Sequence, residues 1–267
     1  MGSLTSIILL TKDGLPYTKE CIASIFAHTK EQIELIAVDN GSTDGTVEYL
    51  RSLPKTKVIA NKRNRGFPVG CNQGLSMASG ESIVLLNNDT VVTKDWLKRL
   101  LACLYQKAST GIAGPRSNYT VPHQIVAPVP YKTMEEMHVF AAEWSERHHE
   151  DSYEADYLSG LCMAFDQTLL NEIGGFDERF YPGYYEDTDL CLRALILDKR
   201  LMVANDVFIH HYGSSSFKDH RERHKKIIKQ SEAKFFQKWK INDLSLIKEA
   251  AELEKPFLKE KHYVPYD

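Results

Sequence analysis

Three short stretches gather the side chains that can do chemistry. ESIVLLNNDT, residues 81–90, drives four apolar residues into Asn87, Asn88 and Asp89. An apolar run bounded by polar residues reads as a strand buried on both faces, and open α/β sheets bind ligands beyond the carboxyl ends of their strands. A carboxylate beside amide oxygens is a ligand set for a hard cation, although the amides add no charge. The plainer alternative is that Asp89 ends a strand or caps a helix that begins near Thr93. In YYEDTDLCLRA, helical spacing puts Asp187, Leu190, Cys191 and Ala194 on one side. A carboxylate at that helix N-terminus can accept a proton from a hydroxyl or simply complement the helix dipole, the role expected of Asp189, with Arg193 pairing to it at i+4. His210 and His211 follow the apolar run Val207, Phe208 and Ile209. Adjacent strand residues face opposite sides, so only one of them can face a cleft, and spacing does not decide which.

These residues need strands to hold them. Residues 5–10, 33–38, 57–60 and 82–86 read as strands, each followed by helical spacing such as Ile22, Ile25 and Phe26, or Trp96, Leu97, Leu100, Leu101 and Leu104. That alternation predicts a parallel sheet with right-handed crossovers. Polar clusters sit at the strand ends: LLTKDG; AVDNGSTDGT, where Asp39 ends a strand and Ser42 or Thr43 is placed to cap the next helix; and NRGFPVGCNQG, where Gly66 and Gly70 bring main chain close to a neighbour and Asn72 adds an amide. No GK[ST] follows, which removes the main signature of triphosphate hydrolysis. From 115 to 156 the pattern dissolves around Pro122, Pro128 and Pro130, leaving at most one exposed helix; so long an irregular insert is expected to be a lid or binding loop. A helix fits 188–197, and one or two strands fit 201–211.

The tail at 218–240 carries nine Lys or Arg against three acids, with Ile227, Ile228, Phe235, Phe236 and Trp239 at helical spacing. A surface helix packing that stripe on the main body is favoured over peripheral membrane contact. A further short helix is expected at 244–253, ended before Pro256. With 33 basic and 36 acidic residues in 267, the charge of -3 gives no argument for nucleic acid as a partner. Five scattered cysteines without a CxxC pair indicate neither a disulfide framework nor a zinc site. No apolar stretch approaches the roughly 18 residues that span a bilayer, so the chain reads as cytoplasmic, with the inner face of the membrane as its alternative location.

Taken in order, SIILLTKDG, ELIAVDNGSTDGT, NRGFPVGCNQGL, IVLLNNDT, GGFDERFYPGYYEDTDLCLRA and FIHHYGSSSF resemble the inverting family 2 glycosyltransferases of GT-A fold. The resemblance implies a GT-A catalytic domain over 1–217, with a nucleotide-sugar half at 1–115 and an acceptor half at 116–217, followed by a helical extension at 218–267. It implies a donor site containing Thr11, Asp39, Asn64, Gly66, Asn72, Asn88 and Asp89, with Thr11 and Asp39 at the base and ribose. It implies Mn²⁺ or Mg²⁺ on the diphosphate, held by Asp89 and by His210 or His211. Asp187 is implied as the general base, with Glu186 as its neighbour toward the acceptor. The family's DxD appears here as Asn87-Asn88-Asp89, so a single carboxylate must serve, and basic residues such as Arg221 and Arg223 are candidates to help hold the diphosphate. The Gly174-Gly175 turn is expected beneath the acceptor, and the 115–156 insert is expected to select it. The partners so implied are a UDP- or dTDP-sugar and a glycan, glycolipid or glycoprotein acceptor. Competing readings are a sugar nucleotidyltransferase, for which LLTKDG lacks the glycine-rich basic loop, and a nucleotide-sugar-binding domain without turnover.

Overall fold

The computed structural model describes residues 3–213 and 221–263, without the side chains of Arg221 and Arg223. Those two proposed diphosphate contacts therefore lie outside the described residues, as does the loop at 214–220. The first strands form where the apolar runs lie: β1 (Thr5–Thr11), β2 (Ile33–Asp39), β3 (Thr56–Ala60) and β4 (Ser82–Asn87), pairing in parallel in the order β3-β2-β1-β4. Helices α1 (Leu15–His28), α2 (Thr46–Ser52) and α3 (Phe67–Ser76) make the crossovers. Alternate residues of these strands enter two cores. Ile7, Leu9, Leu35, Val84 and Leu86 face one side; Ile8, Ile36, Ile83 and Leu85 face the other. A sheet covered on both faces needs such continuous apolar strands.

Beyond β4 the chain forms β5 (Thr90–Val91), α4 (Trp96–Tyr105) and β6 (Thr110–Ser117). It continues through α5 (Met134–Arg147), β7 (Ser152–Ala155), β8 (Cys162–Asp166) and α6 (Gln167–Ile173) to α7 (Glu186–Ile196) and β9 (Arg200–His211). The full order is β3-β2-β1-β4-β8-β6-β9-β5, with β7 also on β9. Because β8 is antiparallel to β4 and to β6, and β9 is parallel to β6, the end of β9 lies at the same sheet edge as the end of β4. For the same reason β8 begins at that edge, and this reversal is what assembles the site.

Several local expectations change. The helix after β2 starts at Thr46, and neither Ser42 nor Thr43 caps it: Ser42 Oγ accepts from Asp13 N at 2.7 Å, and Asp44 accepts from Thr46 N. The irregular 115–156 insert contains β7 and the capping-box helix α5, whose Met137 and Ala141 pack beside Phe208 of β9. α5 is thus half-buried rather than exposed, because its apolar stripe covers the outer end of the sheet. β6 also runs across position 115, so the sheet is continuous through the boundary between the two expected halves.

The C-terminal chain forms α8 (Arg221–Trp239), α9 (Ile247–Leu253) and α10 (Lys259–His262). Phe235, Trp239 and Ile247 are buried with Leu192 and Ile196 of α7. The C-terminal part of the apolar stripe of α8 is therefore covered by the main body, while Ile227 and Ile228 stay half-buried and Lys225, Lys226 and Lys229 are exposed. Among the described residues, no helix is long and apolar enough to cross a membrane.

Candidate functional site

The donor side is built from the loops after β1 and β2. Thr11 Oγ1 donates to Asp39 Oδ1 at 2.9 Å, while Asp39 Oδ2 accepts the Gly41 and Ser42 amides at 2.9 and 2.8 Å. Both side chains are covered, so they form the floor that shapes this loop rather than an exposed contact surface. Lys12 pairs with Asp13 and donates to the Gly41 carbonyl, and Asp13 Oδ1 accepts from Thr43 N. Asn40, which sequence reasoning passed over, ties this loop to the next: its Nδ2 donates to Gly66 O at 3.0 Å, and its Oδ1 accepts from Asn61 and Arg65 N.

In the NRG loop, Asn64 is exposed and its Oδ1 accepts from Gly66 N at 2.8 Å. Gly66 has φ 81°, and a Cβ there would fall 2.6 Å from the Tyr181 ring. The close neighbour that this glycine permits is thus the 181–185 loop. Asn72 is buried on α3 and bonded to Phe176 through both ends of its amide (Nδ2 to O, and Oδ1 from N, each 2.8 Å), so that it clasps a distant part of the chain.

At the end of β4, the Asn88 amide donates to Thr18 of α1 at 2.9 Å and so turns toward that helix. Asp89 does not cap α4, which starts at Trp96 behind Asp95. Its Oδ1 lies 3.1 Å from His211 Nε2, and its carbonyl accepts from Tyr212 N. The pairing of β5 with β9, Thr90 opposite His211, sets this meeting. His211 Nδ1 is 2.8 Å from the Tyr119 carbonyl, and Asn118 grips the His211 main chain at both N and O. Burial acts to lower the His211 pKa, but the hydrogen bond and charge of Asp89 and the Tyr119 carbonyl outweigh it and raise it. His210 points the other way, with Nδ1 2.7 Å from Tyr131 OH, and burial lowers its pKa to about 4. The strand alternation thereby removes His210 from the candidate metal set. Asn118 and Tyr119 were not anticipated; their only signal was the polar triplet that ends β6.

For a divalent cation, the donor chemistry fits in part. Two cis ligands of an octahedral ion, each about 2.1 Å from it, stand roughly 3 Å apart, comparable to the 3.1 Å between Asp89 Oδ1 and His211 Nε2. A main-chain carbonyl on the remote ring nitrogen is the usual way to orient a ligating histidine. Among the described residues, no cluster of three His, Cys, Asp or Glu side chains exists that could hold a metal, so further ligands would have to be phosphate or water oxygens.

Asp187 reaches the same edge through the reversed strand. Asn87 N donates to Leu161 O at 2.8 Å, and Gly160 N, one residue earlier, donates to Asp187 Oδ2 at 2.7 Å. One main-chain bond and one amide-to-carboxylate bond therefore link the NND turn to the acid. Asp187 Oδ1 accepts from Thr188 N at 2.7 Å. Burial raises its pKa against the pull of these N–H groups. Glu186 is buried, and its Oε2 has no hydrogen-bond partner among the described residues; desolvation first, then the Asp187 charge, push its pKa well up. Two neighbouring carboxyls thus stand side by side, both with pKa values raised by burial. Asp189 does more than complement the helix dipole. It receives Arg193 Nε and Trp239 Nε1, both at 2.9 Å, and Lys238 Nζ, so it anchors α8. The Gly174-Gly175 turn serves this same anchor: Arg193 donates to Ile173 O and Gly175 O, and a Cβ on Gly174 would strike the Tyr263 ring.

Comparison with known proteins gives the class to which this fold and site belong. The model of the glycosyl transferase family 2 matches residues 6–174, and the chain belongs to that family. A protein described as an uncharacterized glycosyltransferase of Haemophilus influenzae is 32% identical over 105 residues, which are 38% of this chain and 32% of that one. The chain thus spans about a third of that relative. The N-acetylglucosaminyl-diphospho-decaprenol L-rhamnosyltransferase of Mycobacterium tuberculosis is 23% identical over 215 residues, 71% of this chain and 70% of the relative. Among solved structures, a mannosyltransferase from Pyrobaculum calidifontis in complex with GDP-Man and Mn²⁺ superposes with a TM-score of 0.66 at 19% identity, covering 94% of this chain and 69% of that one. The fold is GT-A.

Proposed function

We propose that the protein is a metal-assisted inverting glycosyltransferase that moves one sugar from a UDP- or dTDP-sugar to a hydroxyl of a glycan, glycolipid or glycoprotein. The observation that carries this reading is the main-chain link between Asp89–His211 and Asp187, through Asn87, Leu161 and Gly160, which sets a candidate phosphate-side pair and a candidate base at one sheet edge. Thr11 and Asp39 floor the base and ribose pocket. Asp89 and His211 would hold Mn²⁺ or Mg²⁺, which supplies charge neutralisation to the diphosphate; the solved mannosyltransferase complex contains Mn²⁺.

Asp187 takes the proton of the acceptor hydroxyl as the acceptor oxygen attacks the anomeric carbon. The bond to the diphosphate oxygen breaks, and the leaving nucleoside diphosphate keeps the electron pair. Its raised pKa suits Asp187 to that exchange, since a base works best with a pKa near the working pH. A lipid-diphosphate acceptor is the class suggested by the mycobacterial relative's name. With Phe235 and Trp239 of α8 covered, membrane contact would run mainly through its exposed lysines, as charge attraction. Incubation with UDP-glucose, UDP-galactose, UDP-N-acetylglucosamine and dTDP-rhamnose, with detection of released nucleoside diphosphate in Mn²⁺ and in chelator, tests the reading. Metal-dependent release from at least one donor supports it; no release from any, with intact nucleoside diphosphate binding, leaves a binding domain without turnover.

A further inference from the structure

The segment that delivers Asp187 is held from outside the cleft. Tyr184 and Tyr185, directly before α7, both have left-handed backbones, φ 73° and 67°. Consecutive non-glycine residues rarely hold this conformation unless their surroundings fix it. On the donor side, Phe67 N donates to Pro182 O at 2.8 Å, and Tyr181 packs on Gly66. On the other side lies α8. The buried Ser231 Oγ donates to Gly183 O at 2.7 Å, and Tyr185 OH donates to Glu232 Oε1 at 2.9 Å. Lys234 Nζ donates to Arg179 O and Tyr181 O at 2.9 and 3.1 Å. The Tyr185 ring also packs on Phe235, with centroids 5.4 Å apart. Each of these α8 groups bonds or packs on the loop, whereas the Asp189–Lys238–Trp239 anchor grips α7 one turn beyond it.

We propose that Ser231 and Glu232 of α8 are positioning residues for the catalytic base: they fix Gly183 and Tyr185 in the left-handed turn that presents Asp187 to Gly160 and to the acceptor. The inference rests on the reading of Asp187 as the base. Its consequence is that transfer depends on α8 being docked against the 183–185 loop.

Two measurements on the whole chain test it. Hydrogen exchange of the segment 183–189 is followed in Ser231→Ala, Tyr185→Phe and Ser231→Thr, with Lys225→Ala on the exposed face of α8 as control. Steady-state transfer from the donor found among UDP-glucose, UDP-galactose, UDP-N-acetylglucosamine and dTDP-rhamnose is measured for the same variants and for Asp187→Asn. The expected result is faster exchange in 183–189 but not in β1, with kcat down about fivefold or more for Ser231→Ala and Tyr185→Phe. Such a loss is the order expected of misplacing one catalytic group. Donor KM should stay within twofold, Ser231→Thr should restore both readouts, and Lys225→Ala should match the parent. Unchanged exchange would overturn the proposal, and so would faster exchange with unchanged kcat, since the loop would then be loosened without consequence. Full transfer by Asp187→Asn would instead overturn the base assignment, a failure separable from that of the clamp.

Discussion

Asp187 faces Gly160 beside Glu186, and Asp189 faces α8, all within one turn at the start of α7, with Asp177 close behind. For Glu186 and Asp187, burial raises both carboxyl pKa values, and Glu186 Oε2 has no hydrogen-bond partner among the described residues. On the far side, burial also acts to raise the Asp177 pKa, yet the Arg179 and Lys238 contacts outweigh it and bring it down to about 2. The difference is one of partners. Main-chain N–H groups leave a carboxylate basic enough to take a proton, whereas guanidinium and ammonium groups tie it up as an ion. The acids around α7 thus divide into Glu186 and Asp187, with no cationic partner among the described residues, and Asp177 and Asp189, paired with Arg and Lys side chains, and only the packed neighbours tell which is which.

The largest effect should come from the structural side. Asp189→Asn leaves the fully buried Arg193 without its charge partner, and breaking a buried pair costs about 3–5 kcal/mol. Urea unfolding should show this loss, with nucleoside diphosphate affinity little changed in the protein that remains folded. A change under 1 kcal/mol would mean that the anchor is dispensable and would blur the contrast with Asp187.

Acid should act on the same cluster. With the folded pKa of Asp177 depressed, its contribution is fully present above its unfolded value near 4 and is lost as pH falls through about 2. The size is about 2 kcal/mol for this buried group. Unfolding free energies measured from pH 5 to pH 2 should fall by that amount more in the parent than in Asp177→Asn.

A smaller contrast concerns the two histidines. His211→Ala should weaken Mn²⁺-dependent nucleoside diphosphate binding on the order of 10- to 100-fold, as should Asp89→Ala. His210→Ala should change it by about twofold or less, since His210 faces Tyr131. Calorimetry with Mn²⁺ and with chelator separates the cases. Equal affinity under both conditions in the parent would remove the metal from the account.

What the sequence made legible follows from periodicity. The four apolar runs gave β1 to β4 within a residue or two, because strands buried on both faces cannot be written otherwise. The Asp89, Asp187 and His210/His211 clusters stood out because polar residues that interrupt such runs need a reason. The choice between the histidines was not legible, since it depends on the register of β9 against β5, a pairing across 120 residues of chain. Nor was the duty of Asn72 or Asp189: an amide or acid on a helix looks the same whether it faces a ligand, Phe176 or a buried arginine. The helix in the proline-rich segment was legible but its burial was not, because the Met137 and Ala141 stripe has a partner only where β9 brings Phe208 beside it.

The central claim is that Asp187 is the base and Asp189 is not. Asp187→Asn and Asp189→Asn should be compared for transfer rate per folded molecule, donor affinity and unfolding free energy, using the donor and acceptor that give turnover. The account predicts that Asp187→Asn loses about 10²- to 10⁴-fold in kcat with nucleoside diphosphate affinity and stability close to the parent, while Asp189→Asn loses stability and keeps most of its rate. Transfer by Asp187→Asn within a few-fold of the parent would contradict it and would make the acids at the start of α7 helix-terminal charges alone.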